Sequence, residues 1–213
     1  SNIHRAVHAL AEESTEAFEE TRDIVARFLN IEDSREIVFV RGTTEAINLV
    51  AYAWGRDNVK EGDIIVTTEY EHHSNIVPWQ LLTQETKAQL KYIDIDDNGE
   101  LMIEQLDDYL ATGKVKLVTF SHMSNVLGTI SPVDEIISKC KNAGVLTLID
   151  GAQSVPHMKV NLSQLGCDFF AFSAHKMLGP TGVGVLWARK EILEKMSPFL
   201  GGGDMIREVH KYD

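Results

Sequence analysis

The sequence has few cysteines and no long apolar segment. Its 213 residues include two cysteines, Cys140 and Cys167, which do not have C-x-x-C spacing. The sequence therefore indicates neither a disulfide framework nor a thiolate metal site, and we expect both thiols to be buried and inert. No apolar stretch is long enough to span a bilayer, and neither terminus has the pattern of a signal peptide. We therefore expect a soluble, cytoplasmic protein.

Basic residues are also scarce. Lys and Arg total 20 against 32 Asp and Glu, which gives a formal net charge of −12. Such a charge repels phosphate backbones and anionic lipid surfaces, so nucleic acid and membrane are excluded as expected partners. A hydrophobic content of 44% over this length is enough to build one α/β core. We therefore treat residues 1–213 as a single domain.

Short β-branched runs alternate with helical patterns after a first helix at 12–29. The runs lie at 37–40, 63–68, 90–95, 116–122, 145–150, 168–173 and 183–189. Segments with the length and apolar spacing of crossover helices lie at 44–54, 75–87, 103–111 and 133–144. Strands that are apolar on both faces and joined by helices indicate a parallel sheet. The sequence therefore predicts a three-layer α/β/α fold with a mostly parallel seven-stranded sheet.

The last run, 183–189, is the exception. It follows the sixth run after the short loop Leu178–Gly182, which leaves no room for a helix, so it should be antiparallel to its neighbour. The Gly-rich stretch 179–184 leads into this strand rather than into a helix. We therefore do not interpret it as a nucleotide-binding loop.

Reactive side chains follow the strands at the ends where parallel sheets bind ligands. They occur in the segments 41–45, 71–75, 122–125, 150–153 and 173–176.

Asp150 and Lys176 end two strands that should be neighbours. Asp150 closes an apolar run, where a carboxylate is costly unless a cation pairs with it. The ring nitrogen of pyridoxal phosphate (PLP) would supply that cation, and Lys176 could condense with its aldehyde. Considered alone, Asp150 could instead cap a helix and Lys176 could be a solvated surface residue. Their expected proximity favours the cofactor.

Thr43 and Thr44 begin a helix directly after Gly42, so their hydroxyls and the first free amides could hold a phosphate. A plain Thr N-cap is the alternative. His72 could stack on a flat ring, or it could be a helix cap or a buried core histidine.

Five segments together resemble the group II cysteine desulfurases (SufS and CsdA type) of the class V aminotransferase family. They are RGTTEAINLVA, EHHSNIVPWQ, HMSNVLGT, DGAQSVPH and FSAHKMLGPTGVGVLW. The resemblance implies PLP as the cofactor, held by Lys176 as a Schiff base, with Asp150 at the pyridine nitrogen. Gln153 would hydrogen-bond the phenolic oxygen, and Asn125 would lie near that oxygen and the substrate carboxylate. His72 would stack on the ring and share proton transfers with Lys176.

The resemblance assigns the phosphate to hydroxyl and imidazole groups. Thr44, together with Thr43, Ser173 and His175, would bind it.

Complete members of this family carry an N-terminal segment before the position of Ser1 and a small domain beyond that of Asp213. The small domain supplies a nucleophilic cysteine and a substrate-binding arginine, and neither Cys140 nor Cys167 occupies the position of that cysteine. The chain is therefore expected to be a PLP-binding large domain that is inactive alone. The full-length enzyme is expected to be a homodimer that converts L-cysteine to L-alanine. It would pass a persulfide to a sulfur-acceptor protein for iron–sulfur cluster assembly.

Three alternatives stay open. L-Selenocysteine could replace L-cysteine as substrate, or the chain could belong to another class V enzyme such as a transaminase or an epimerase. It could also be a non-catalytic scaffold. A metal protein is a further option, because His4 and His8 have i,i+4 spacing and 71–73 reads Glu-His-His. However, adjacent histidines cannot easily aim at one ion, so we predict no metal site.

Overall fold

A computed structural model describes residues 9–202 of the chain. Its nine α-helices are α1 (Ala9–Phe28), α2 (Thr43–Val50), α3 (Arg56–Asn58), α4 (Val77–Thr86), α5 (Glu104–Ala111), α6 (Val133–Asn142), α7 (Ser154–His157), α8 (Leu162–Leu165) and α9 (Lys190–Leu193). A π-helical turn, Ala51–Gly55, connects α2 to α3. None of the helices described is both long and apolar enough to cross a membrane.

Seven strands form one sheet, and each lies within two residues of its predicted bounds. They are β1 (Ile37–Val40), β2 (Ile64–Thr68), β3 (Gln89–Ile93), β4 (Val115–Ser121), β5 (Leu146–Asp150), β6 (Phe169–Ser173) and β7 (Gly184–Ala188).

The strand order across the sheet is β1-β7-β6-β5-β4-β2-β3. Strand β7 pairs antiparallel with both β1 and β6, and the remaining pairs are parallel. The predicted mostly parallel sheet with one antiparallel strand is confirmed. Because β7 is antiparallel to both neighbours, β1 runs in the same direction as β6.

Helices cover both faces of the sheet, which explains why its strands are apolar on both sides. On one face, Ile47 of α2 and Trp79 of α4 pack with strand residues such as Leu117. On the other, Leu106 of α5 and Ile136 of α6 belong to a second buried cluster. All five side chains are fully buried. The predicted three-layer fold is confirmed.

The chain changes direction across the sheet between β2 and β4. From β2 it passes to β3 on one side, whereas from β4 it passes to β5 and then β6 on the other. The helices that follow β2 and β4 therefore pack on opposite faces, and their loops diverge. Such a point in an open sheet is where ligands are commonly bound.

Candidate active site

The five reactive segments reach one edge of the sheet. The start of α2 follows β1, and residues 173–176 follow β6. Residues 150–153 follow β5, residues 122–125 follow β4, and residues 71–75 follow β2. Asp150 and Lys176 thus follow neighbouring strands, as predicted.

Asp150 is a buried carboxylate, with 4% of the residue exposed. Within residues 9–202, its side chain accepts one hydrogen bond, from the backbone N–H of Ala152 to Oδ1 at 2.9 Å. Burial raises the pKa of Asp150, while the Ala152 N–H and the electrostatic influence of Lys176 and His72 lower it. Both side chains therefore lie close enough to act on this carboxylate. Asp150 does not cap helix α7, because Gln153 stands in the cap position.

Lys176 ends a single 3₁₀ turn, Ala174–Lys176, and its residue is exposed at the sheet edge. The turn is tight because the carbonyl of Ala174 accepts the N–H groups of Met177 and Gly179, each at 2.9 Å. A Cβ on Gly179 would lie only 2.9 Å from Cβ of Ala174, so glycine is required there. Leu178 has a φ of 65°, a left-handed conformation that is uncommon outside glycine. The chain thus turns sharply away after Lys176 and leaves its amine accessible.

Hydroxyl groups meet at the start of α2. The Thr43 N–H donates to Ser173 Oγ at 2.8 Å, and the two hydroxyl oxygens are also 2.8 Å apart. Both residues are buried, whereas Thr44 is exposed. Gly42 holds the N-cap position without a side-chain cap, so the alternative of a Thr N-cap is wrong.

Two glycines permit this approach of α2 to the sheet. A Cβ on Gly184 would lie 2.5 Å from Cα of Gly42 and 2.7 Å from the Phe172 carbonyl oxygen. The backbones of β7 and of the residue before α2 therefore touch at a point where residue 184 cannot carry a side chain.

His72 is exposed and caps a 3₁₀ turn, His73–Asn75. Its Nδ1 accepts the backbone N–H of Ser74 at 3.1 Å and lies 2.8 Å from Ser74 Oγ. A backbone N–H can only donate, so the neutral ring carries its proton on Nε2. The alternative of a helix cap is thus confirmed for His72, and the ring is still accessible.

The three remaining predicted residues are not buried: Asn125 and His175 are exposed, and Gln153 is half-buried. Asn125 sits in a loop closed at its base by the pairing of Met123 with Ile130. The hydroxyl of Ser124 accepts the N–H groups of Val126 and Leu127 at 3.3 and 3.2 Å.

The donor set fits PLP. An accessible primary amine and a buried carboxylate without a fixed cation come from adjacent strands, as an aldehyde and a ring nitrogen would require. The exposed Thr44 and the uncapped first turn of α2 suit a phosphate.

Glu71 is the functional candidate that the sequence analysis missed except as a metal ligand. Its carboxylate is buried within a network of hydrogen bonds. A signal was available, since Thr119 and Ser121 are polar residues at alternate positions of strand β4, whose other buried residues are apolar.

Both cysteines are fully buried and free. Burial raises the pKa of Cys140 to about 12 and also raises that of Cys167. Their predicted burial is confirmed, and neither is a reactive thiolate.

No three His, Cys, Asp or Glu side chains within residues 9–202 are grouped to hold a metal ion. His4 and His8 lie outside the described residues.

The chain belongs to the aminotransferase class-V family, whose model matches residues 1–213. A probable cysteine desulfurase of Halalkalibacterium halodurans is 51% identical over 213 residues, which are 100% of this chain and 52% of that protein. One of Mycolicibacterium paratuberculosis is 53% identical over 209 residues, 98% of this chain and 30% of that protein. The chain thus spans about a third to a half of the length of these curated relatives.

Solved structures agree with this assignment. The apo cysteine desulfurase of Thermococcus onnurineus superposes with a TM-score of 0.92 at 43% identity, covering 99% of this chain and 52% of that one. The Escherichia coli cysteine desulfurase CsdA gives 0.89 at 39% identity, covering 99% and 53%. A structure described as SspA in complex with cysteine gives 0.85 at 26% identity, covering 94% and 57%.

Proposed function

We propose that this chain is the PLP-binding large domain of a cysteine desulfurase that converts L-cysteine to L-alanine and an enzyme persulfide. The observation that carries the proposal is the placement of Asp150 and Lys176 at the ends of adjacent strands, with the charge of Lys176 acting on the buried carboxylate. The cysteine desulfurase relatives support the choice of reaction.

Residues at the centre of the sheet edge would hold the ring. Asp150 would keep the ring nitrogen protonated, because a buried carboxylate is stabilised by an adjacent positive charge. His72 would stack on one face, with Gln153 and Asn125 near the phenolic oxygen. When bound, PLP supplies an electron sink for negative charge at the α-carbon of an amino acid.

Residues nearer β1 would hold the phosphate. The exposed Thr44 and the first turn of α2 would donate to it, joined by Ser173 and His175. The Thr43 hydroxyl already contacts Ser173, so within this proposal Thr43 also orients the Ser173 hydroxyl.

Lys176 and His72 would move protons. The amine of Lys176 would accept the proton from the α-carbon of L-cysteine, and His72 would donate from Nε2. A sulfur nucleophile must then accept the substrate sulfur. Cys140 and Cys167 are buried with raised pKa values, so we place that cysteine in the part of the relatives that this chain does not match. A substrate-binding arginine would lie there too.

The remaining features of the proposal come from the resemblance. They are a homodimer, a cytoplasmic location, and transfer of the persulfide to an acceptor protein for iron–sulfur cluster assembly. A structure described as a complex with cysteine, among the similar structures, supports L-cysteine as the substrate.

Release of alanine from L-cysteine by the PLP-loaded full-length protein tests this function. We expect turnover that is lost in Lys176→Ala and retained in Lys159→Ala, which changes an exposed lysine on the chain before α8. Turnover of L-selenocysteine alone would instead indicate a lyase for that substrate. The absence of both activities in a protein that binds PLP would contradict the proposal.

A further inference from the structure

Glu71 is a buried carboxylate without a cation. Only 8% of the residue is exposed, and it immediately precedes His72. Burial raises its pKa to about 7, and the groups that lower it are hydrogen-bond donors only: Thr68, Ser121 and Asn75. Within the described part of the chain, no positive side chain pairs with it. A buried acid is costly, so its neighbours must compensate.

Four donors converge on this carboxylate. Oε1 accepts the Thr68 hydroxyl and, at 2.8 Å, the Ser121 backbone N–H. Oε2 accepts the Asn75 amide and the Ser121 hydroxyl, each at 2.7 Å. Four donors match the acceptor positions of the ionised carboxylate, the form that Glu71 takes above a pH of about 7 and that has no hydrogen to donate.

These hydrogen bonds connect the loops after β2 and β4, where the order in which the chain crosses the sheet reverses. The β2–β4 pairing ends at Val66 and Val118, although β4 continues to Ser121. Beyond that pair, the Glu71 carboxylate provides the acceptor for the Ser121 N–H. It therefore joins the two loops at the crevice where their chains diverge.

A second set of hydrogen bonds, beside Glu71, also connects the loop after β2 to the loop after β4. The Tyr70 hydroxyl lies 2.7 Å from Ser131 Oγ, and Ser131 in turn donates to the Ser121 carbonyl. The Ser131 N–H also donates to the His122 carbonyl at 3.0 Å, which closes the base of the loop that carries Asn125.

Asn75 holds the other end of the His72 segment. It is fully buried, and its Oδ1 accepts from Trp79 Nε1 at 3.0 Å and from the Thr119 hydroxyl at 2.6 Å. Residues 72–74 are thus held on both sides by buried side chains that contact β2, β4 and α4.

We propose that Glu71 is a positioning residue, which fixes His72 from one side of the crevice and the Asn125 loop from the other by joining Thr68, Asn75 and Ser121. The inference rests on the proposed function for the roles of His72 and Asn125. The geometry that it assigns to Glu71 can be tested without the cofactor.

Glu71→Gln is the most informative variant, because it preserves shape while it replaces an all-acceptor, titratable carboxylate with a neutral amide that must also donate. Either orientation of the new amide leaves its NH₂ facing a fixed donor. In one orientation it meets the Ser121 N–H, and in the other it meets the Asn75 amide, which Trp79 and Thr119 hold in place.

Asp168→Asn is the matched control. Asp168 is also a buried carboxylate and accepts the Thr147 N–H at 2.8 Å, but it precedes β6 at the opposite edge of the sheet. Ser121→Ala is a milder second variant, which removes a single hydroxyl donor to Glu71.

Hydrogen exchange of the full-length protein without cofactor tests the placement. We expect Glu71→Gln, and less strongly Ser121→Ala, to speed exchange in residues 69–76 and 121–131, while Asp168→Asn leaves both segments unchanged. The inference is overturned if Glu71→Gln leaves both segments as in the parent, or if Asp168→Asn accelerates them equally.

Kinetics of the PLP-loaded protein test the consequence. Misplacement of a reacting group by about 1 Å can cost up to a hundredfold in rate, so we expect Glu71→Gln to lower kcat/KM by about tenfold to a hundredfold. It should also change the circular dichroism of bound PLP. The double variant with His72→Ala should lose less than the product of the two single losses, because the part of the Glu71 effect that acts through His72 is already absent. Independent, multiplicative losses would overturn the inference. A parent protein without turnover would defeat the proposed function, whereas the exchange result would still decide the placement.

Discussion

Asp150 lies in a buried position that raises the pKa of its carboxyl group, and one backbone N–H and the more distant side chains of Lys176 and His72 oppose the cost of burial only in part. The sequence predicted this residue because a carboxylate directly follows an apolar strand. It did not predict the Thr43–Ser173 contact, because that pair joins residues 130 positions apart whose spacing depends on how α2 meets the sheet.

Asp150→Asn should keep the fold and remove most of the catalysis. Asparagine can still accept the Ala152 N–H through its oxygen, but it carries no charge for the ring nitrogen. Losing one partner of a buried charge pair costs about 3 kcal/mol, which is about a hundredfold in rate. Alanine release from L-cysteine should fall by this factor, with Asp94→Asn, at an exposed position after β3, as the control. An unchanged rate in Asp150→Asn would remove Asp150 from the site.

At the scale of the elements, the strand and helix pattern was predictable because most runs are apolar on both faces and four of the six connections have helical spacing. The Glu71 network was not. It joins residue 71 to residue 121. These residues become neighbours only because β4 pairs with β2 instead of with β3, the strand that precedes β4 in the sequence. Nothing in the local sequence of either strand specifies that pairing.

Gly184→Ala tests the close contact that brings α2 to the sheet. The added Cβ would meet backbone atoms of Gly42 and Phe172, which cannot move as a side-chain end can. Overpacking of this kind costs about 1–3 kcal/mol, and we also expect weaker PLP binding because the start of α2 shifts. Thermal unfolding and PLP titration measure the two effects. Gly202→Ala, which meets no atom within 4 Å, is the control. A Gly184→Ala protein with parental PLP affinity would show that this contact does not shape the phosphate site.

For the whole molecule, the sequence predicted the layers and the antiparallel strand but not the order of the strands. Composition and periodicity determine which segments become strands, whereas order depends on which helix crosses which face. The convergence of five reactive segments at one edge was nevertheless predictable, because it follows from the direction of the strands alone.

The free energy of unfolding of the protein should depend on pH because of the titration of Glu71. Burial raises its pKa from 4.5 to about 7, so between these pH values the folded protein holds a proton that the unfolded chain releases. Stability from this group therefore falls as pH rises from 4.5 to 7, by about 3 kcal/mol. Burial lowers the pKa of His122 below its ordinary value of 6.5. The contribution of His122 to the free energy of unfolding therefore rises with pH below 6.5, opposite to that of Glu71.

Comparison of the parent with Glu71→Gln separates the contribution of Glu71 to the pH dependence of stability from that of His122. Urea unfolding at a series of pH values should show that the free energy of unfolding of the parent declines relative to that of Glu71→Gln as pH rises through this range. Parallel curves would contradict the buried titration of Glu71.

Borohydride reduction of the PLP-treated full-length protein, followed by mass analysis of its peptides, tests the site most directly. We expect the reduced cofactor to be attached to Lys176, and the visible absorbance band to be absent from Lys176→Ala. A reducible band retained in Lys176→Ala, or a label on a different lysine of the parent, would contradict the assignment of Lys176 and Asp150 to a PLP site.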